Sequence, residues 1–177
     1  MDKTEIKKQL LDFSINGVEN FLNEHSDLEF YSFAYDCNAE YGEVNLCFNT
    51  EKDFKKTLES YQTGNYADNY QTEEDIKNLK FNTGDWDYQC FDSINILTEE
   101  ELEEILGEDP EKDDYKSWNE FIESLNELFC ECLLDFSKTE TFKKIPKTNN
   151  FIAFCTDHDE DFENAIERLE KVKTKYA

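Results

Sequence analysis

The sequence FYSFAYDC at residues 30–37, followed by the turn NAEYG at 38–42 and by VNLCF at 44–48, decides the fold. The first stretch is rich in aromatic residues and places apolar side chains on both faces of an extended chain, which is typical of a buried strand. In the second stretch Val44, Leu46 and Phe48 share one parity. The two stretches therefore predict a β-hairpin with a longer loop.

Helical patterns lie on either side of this hairpin. Residues 4–24 carry apolar residues at near-helical spacing with charged residues between them, which predicts an amphipathic helix. Thr50 is placed to cap a helix over about 51–61, and Thr72-x-x-Asp75 predicts the start of a short one. Residues 62–71 lack periodicity and are expected to form a loop.

The second half of the chain predicts two strands and three more helices. Residues 81–96 indicate a turn and then a strand, and Thr98-x-x-Glu101 is a capping box that opens a short helix through Leu106. Ser117-x-x-Glu120 matches the same pattern before a long helix that ends near Phe136. The wholly apolar residues 151–155 predict a strand in the centre of the sheet, and Thr156 or Asp157 is expected to cap the last helix.

These elements define an α+β fold. The order is helix, hairpin, helix, strand, helix, helix, strand, helix, without regular βαβ alternation. The prediction is a small, mainly antiparallel sheet of about four strands packed with five or six helices. A mass of 21.0 kDa and few glycines and prolines are consistent with one domain over residues 1–177.

Charge is the strongest functional signal. Forty-three Asp and Glu residues oppose eighteen Lys and Arg residues, which gives a formal net charge of −25. Residues 98–135 alone hold fifteen acids and two lysines, a net charge of −13. A field of this sign repels nucleic acid and anionic membranes and attracts basic surfaces. The sequence therefore predicts a basic protein partner and no direct contact with nucleic acid or a membrane.

The location of the protein is also expected from its sequence. No run of eighteen apolar residues exists that would span a bilayer. The N-terminus lacks the basic and apolar regions of a secretory signal. The expected location is therefore the cytoplasm.

Six cysteines are present, and no two of them form a Cys-x-x-Cys pair. Cys130 and Cys132 would point about 200° apart on a helix, so they do not converge on a metal. We interpret the cysteines as free thiols in a reducing compartment, five of them within apolar stretches. No metal site and no cofactor are predicted.

No catalytic residue is predicted either. The histidines are His25 and His158, and Cys155 in its apolar strand is not expected to contact His158 beyond the strand's end. The carboxylate-rich residues 157–161 are interpreted as a helix start, although a metal site there is an alternative. They are also the basis of an alternative function, an uncharacterised hydrolase or transferase.

Exposed acids and tyrosines are the candidate binding residues. Acids steer and pair with Lys or Arg, and tyrosines are frequent in the hot spots of protein interfaces. The predicted partner-binding residues are Glu108, Asp109, Glu111, Asp113, Asp114 and Tyr115, with Tyr66 and Tyr70 in support.

Three stretches of the chain resemble the bacterial family of unknown function DUF4303. They are the strand at 30–37, the sequence YGEVNLCFNTE at 41–51 and the sequence LKFNTGDWDYQC at 79–90. Thr83 stands where many members are expected to have proline, which affects only a turn. The resemblance implies a role near toxin systems, since small acidic proteins of this kind look like immunity proteins encoded beside polymorphic toxins.

Charge and resemblance together lead to one expected function. It is a non-catalytic acidic protein that neutralises a basic, nuclease-like toxin by blocking it. A generic protein-interaction domain is a further alternative.

Overall fold

The computed structural model describes residues 2–63, 67–107, 115–158 and 160–176. Within these residues helices and strands alternate irregularly, as the sequence predicts. The elements are α1 (Lys3–Glu24), β1 (Phe30–Asn38), β2 (Glu43–Asn49), α2 (Glu51–Thr63), α3 (Glu73–Phe81), β3 (Tyr88–Asn95), α4 (Glu99–Leu106), α5 (Lys116–Phe136), α6 (Glu140–Lys144), β4 (Lys147–Asp157) and α7 (Phe162–Tyr176).

The described strands form one sheet in the order β3-β2-β1-β4. Strand β2 is antiparallel to β1, with Ser32 opposite Asn49 and Asn38 opposite Glu43, and β3 is antiparallel to β2. Strand β4 runs parallel to β1. The α+β prediction is confirmed, and the sheet is mostly antiparallel.

A single glycine fixes the turn of the β1–β2 hairpin. Gly42 has a φ of +62°, and a Cβ atom there would lie 2.8 Å from the Cβ of Leu97. Its carbonyl accepts a 2.8 Å hydrogen bond from the backbone N–H of Ile96. Only glycine accommodates both the positive φ and the close approach to Leu97 without strain. Gly42 therefore fixes the position of the turn against the residues that follow β3.

Aromatic side chains bury β1 from both faces. On one face Phe33 and Tyr35 contact Phe136 of α5, with ring centroids 5.5 and 6.5 Å apart. On the other face the Tyr31 ring lies 6.1 Å from Phe54 of α2 and 6.0 Å from Phe81 of α3. Helices therefore cover the sheet on both sides. Tyr31 lies on the face opposite Phe33 although the two share parity, because β1 is irregular between Phe30 and Ser32.

Strand β4 corrects one prediction. The run at 151–155 was expected to be central, but β4 lies at an edge of the sheet and pairs with β1 alone. Helices α5 and α7 both pack against β4. An apolar run reports only that the faces of a strand are covered, here by α5 and α7, and it does not show whether both backbone edges are paired.

The starts of two helices differ from the sequence predictions, and a third helix was not predicted. Helix α5 begins at Lys116, so Ser117 is not its cap, and Tyr115 occupies the cap position without a side-chain capping bond. Strand β4 extends to Asp157 and α7 begins only at Phe162, so neither Thr156 nor Asp157 caps it. The five-residue helix α6, missed because it is shorter than two turns, is capped by Thr139, whose hydroxyl accepts from the N–H of Phe142 at 3.1 Å.

A buried hydroxyl pair on α1 and β1 gives a test of this packing. Tyr35 is fully buried, its hydroxyl lies 2.5 Å from Ser14 Oγ, and Ser14 donates to the carbonyl of Leu10. Ser14→Ala removes the acceptor and should lower the free energy of unfolding by about 1–3 kcal/mol. Adding Tyr35→Phe removes the stranded hydroxyl and should restore most of that loss. Urea unfolding measures both, and an unchanged stability in Ser14→Ala would contradict the assignment.

Candidate functional site

The predicted partner-binding residues fall into three groups. Tyr66 and the acids Glu108, Asp109, Glu111, Asp113 and Asp114 lie outside the described residues. Tyr115 and Tyr70 are described, and they line two different depressions. The structure therefore does not bring these two tyrosines to one site.

Tyr115 lines a shallow groove of about 530 Å³. Tyr41, at the end of the 3₁₀ turn between β1 and β2, lines the same groove. Tyr41 is 67% exposed and Tyr115 is 41% exposed, and they are the two exposed large apolar side chains of the described chain. We call this depression the Tyr41–Tyr115 groove; it is lined by Glu40, Tyr41, Leu106, Tyr115, Trp118 and Asn119.

Three elements position the groove. Helix α4 packs against both α5 and the 3₁₀ turn at Ala39–Tyr41. Leu102 is the buried residue of α4, and Leu106 ends that helix at the groove. Trp118 is half-buried in the first turn of α5, with its ring 5.6 Å from Phe121. Packing of Leu102 and Trp118 thus fixes the surface of the groove next to the two tyrosines.

The backbone at Tyr115 is unusual. Its φ and ψ are +58° and +16°, the left-handed region that costs an L-amino acid about 1–2 kcal/mol. Such outliers persist where surrounding structure enforces them, and they cluster at functional sites. The strained backbone therefore marks Tyr115 as a candidate contact residue.

The groove lies in a strongly negative environment. Helix α4 has the sequence EEELEEIL, with five glutamates and no basic residue. The nearby Lys116 pairs with Glu120 at 3.7 Å, so its charge is partly balanced. Leu106 and Tyr115, which stand on either side of the acidic residues 108–114 in the sequence, both line the groove. A cation approaching here meets a favourable field.

Tyr70 lies in a different depression, which we call the acidic cleft. Its ring stacks on Tyr61 with centroids 5.1 Å apart, and its carbonyl accepts from Gln62 Nε2 at 2.8 Å. The cleft has a volume of about 280 Å³ and is lined by Tyr70, Asn78, Leu79, Phe81, Asn82, Thr83, Asp85, Thr156, Asp157, Glu160, Asp161 and Phe162.

Carboxylates of the acidic cleft are engaged as hydrogen-bond acceptors. Asp157 accepts from Asn126 Nδ2 at 2.8 Å and from the N–H of Ala39 at 3.3 Å. Asp85 accepts from Tyr61 at 2.5 Å and from Asn82 at 2.7 Å. Asp157 therefore ties β4 to α5 and to the hairpin, a tertiary role that its position before α7 did not reveal.

Glu160 forms the most buried ion pair of the cleft. It accepts two hydrogen bonds from Arg168, at 2.7 and 2.5 Å. Burial alone would lower the pKa of Arg168, but the hydrogen bonds to Glu160 and the charge interactions with neighbouring acidic groups together outweigh burial and leave that pKa raised. Both carboxylate oxygens of Glu160 are thus occupied by the guanidinium, an arrangement typical of a structural ion pair.

The thiols are not arranged as nucleophiles. Cys37 and Cys155 have sulfur atoms 3.7 Å apart in the core, and burial raises the pKa of Cys37. Cys90 is exposed, but partial burial and then the charges of Glu43 and Asp36 raise its pKa too. A raised pKa suppresses the reactive thiolate.

Hydrogen bonds hold His158 against β1. His158 Nδ1 faces Asp36 Oδ1 at 3.4 Å, and its backbone N–H donates to the carbonyl of Cys37 at 2.7 Å. Cys155 instead neighbours Cys37. Across the described ranges, no three potential ligands are placed to hold a metal ion.

Comparison with known proteins places this α+β chain in a family. The model for a domain of unknown function, DUF4303, matches residues 10–173, so the chain belongs to the DUF4303 family. No curated protein and no solved structure matched the chain. No helix of the described chain has the length and apolarity to cross a membrane.

The Arg168–Glu160 pair gives a prediction for the acidic cleft. Arg168→Met leaves a poorly exposed carboxylate without its partner, and the free energy of unfolding should fall by about 3 kcal/mol or more. Lys77→Met breaks the exposed pair with Glu163 and should change it by about 1 kcal/mol or less. Urea unfolding of both variants makes the comparison, and equal losses would show that burial does not matter here.

The strained backbone gives a prediction for the groove. Tyr115→Ala keeps a Cβ in the left-handed conformation, whereas Tyr115→Gly removes it. The glycine variant should therefore unfold with a free energy about 1 kcal/mol higher than that of the alanine variant. Chemical denaturation of the two proteins measures the difference. The reverse order would show that Tyr115 is not held in this conformation.

Proposed function

We propose that this protein is a non-catalytic, acidic, cytoplasmic binding protein that neutralises a basic, nuclease-like toxin by covering its active surface, as an immunity protein does. A nuclease that binds phosphates must present a basic cleft. An inhibitor with a net charge of −25 is attracted to that cleft over long range. The same charge repels the nucleic acid that the cleft would otherwise bind.

One observation carries the proposal: the two exposed tyrosines stand together at the Tyr41–Tyr115 groove beside the acidic helix α4. Aromatic residues supply contact area at the centre of interfaces, while rim charges set the association rate. The described chain combines both at this surface. A surface with this combination favours docking of a basic protein over binding of a neutral or anionic one.

The acidic cleft is the basis of the competing enzyme hypothesis, and its geometry favours that hypothesis less. A general acid or base must be able to exchange its proton with a substrate. Asp85, Asp157 and Glu160 instead accept hydrogen bonds from neighbouring side chains, and the bond from Asn126 to Asp157 ties α5 to β4. This arrangement supports a structural role for these carboxylates.

Association kinetics with the protein encoded by the neighbouring gene test the proposal. The proteins are purified separately, and the association rate is measured at 50 and 300 mM NaCl. Electrostatic steering predicts a fall of roughly tenfold or more over this range, with a smaller change in dissociation. An association rate indifferent to salt, or no complex with a basic partner, would contradict the proposal.

A pair of charge variants locates the steering surface. Glu100→Gln with Glu104→Gln removes two exposed charges from α4, outside its capping box. Glu167→Gln with Glu170→Gln removes two exposed charges from α7, which pairs with α5 through Lys171 and Glu127, about 18 Å along α5 from Tyr115. The α4 pair should slow association several-fold and the α7 pair much less. Equal effects would place the docking surface elsewhere.

A further inference from the structure

We propose that the Tyr41–Tyr115 groove is an anchor site for one arginine side chain of the partner protein. This inference rests on the proposed function, and it names the group that is recognised. The guanidinium would lie against the tyrosine rings, with its N–H groups directed to Glu40. Two properties of the groove lead to this assignment: its aromatic walls and its acidic rim.

The walls suit a planar cation. Tyr41 and Tyr115 line the groove, and both are exposed in the described structure. A cation over an aromatic face gains about 0.5–1 kcal/mol when exposed and about 2 kcal/mol when it is desolvated. Trp118 and Leu106 add apolar surface against which the methylene groups of a long side chain can pack.

The rim selects a positive occupant. Glu40 lines the groove, and α4 contributes five glutamates to the adjoining surface. A second copy of this chain would bring another −25 charge and is repelled. A neutral apolar side chain would fill the walls but leave the negative field uncompensated. The charge therefore points to a basic occupant supplied by a different protein.

The fold already uses this combination of groups internally. Lys80 Nζ lies 4.5 Å from the centroid of the Tyr31 ring and 2.6 Å from a carboxylate oxygen of Glu51. Lys7 repeats the arrangement, 4.5 Å from the Tyr176 ring and 2.5 Å from Glu131. A tyrosine and a glutamate thus hold a cation at two places in the described chain. Tyr41, Tyr115 and Glu40 present the same groups, and within residues 2–63, 67–107, 115–158 and 160–176 no lysine or arginine pairs with them.

Arginine fits the groove better than lysine. Its guanidinium is planar, stacks on aromatic rings and offers two parallel N–H groups to a carboxylate. Lysine is a compact, strongly hydrated charge that loses more hydration on entering such a groove. The proposal therefore predicts a preference between two cations of equal charge, which general attraction to an acidic protein does not.

Two short peptides measure that preference. Hexa-arginine and hexa-lysine carry the same formal side-chain charge, and calorimetric titration at 50 and 150 mM NaCl gives the affinity of the intact protein for each. The wild-type protein should bind hexa-arginine at least fivefold more tightly. Tyr41→Ala and Tyr115→Gly should bring this ratio close to one, and Glu40→Gln should lower it.

Matched controls carry the same substitutions outside the groove. Tyr70→Ala removes a tyrosine of the acidic cleft, and Glu167→Gln removes an exposed charge from α7. Both should keep the wild-type ratio. Thermal unfolding of each variant establishes that it is folded before titration.

The outcomes separate this inference from the proposed function. An arginine preference that is lost only in the groove variants supports the anchor site. Salt-dependent binding of both peptides without a preference, or a preference that survives in the groove variants, overturns the anchor site and leaves the proposed function standing. Absence of binding to either peptide at 50 mM NaCl would count against both.

Discussion

The burial of strand β1 on every side is the constraint on which the rest of the structure depends. Its backbone pairs with β2 on one side and β4 on the other, and aromatic rings cover both of its faces. This packing holds the chain together against the repulsion among surface charges that sum to −25. Acids can therefore accumulate on the exposed face of α4 without preventing folding, since the core does not rely on them.

Local sequence patterns predicted those elements whose ends are stabilised locally. The capping boxes at Thr72 and Thr98 are formed as expected, because each needs only groups three residues apart. The same pattern at Ser117 was misleading, because contacts with α4 and the hairpin turn help set where α5 begins. The edge position of β4 depends on which strands lie beside it in the sheet. The composition of a strand does not encode its neighbours.

The candidate site was predicted in part. Tyr115 was selected from its acidic surroundings, and it is exposed beside a groove. Tyr70 was selected from an unperiodic stretch, but it stacks on Tyr61 across the end of α2, a contact that sequence spacing does not show. Tyr41 was missed because it was assigned only to a turn. The one available signal was an aromatic residue between Glu40 and Gly42, at a position that a hairpin must expose.

In the turn between β1 and β2, Gly42 is required for folding, whereas the neighbouring Tyr41 side chain is available for recognition. The backbone there is fixed by the glycine and by the hydrogen bond from Ile96, and neither involves the side chain of the preceding Tyr41. Residue 41 can therefore change identity with little penalty to the hairpin, whereas residue 42 cannot. A substitution at residue 41 would therefore change the surface of the groove while the backbone that supports it keeps its conformation.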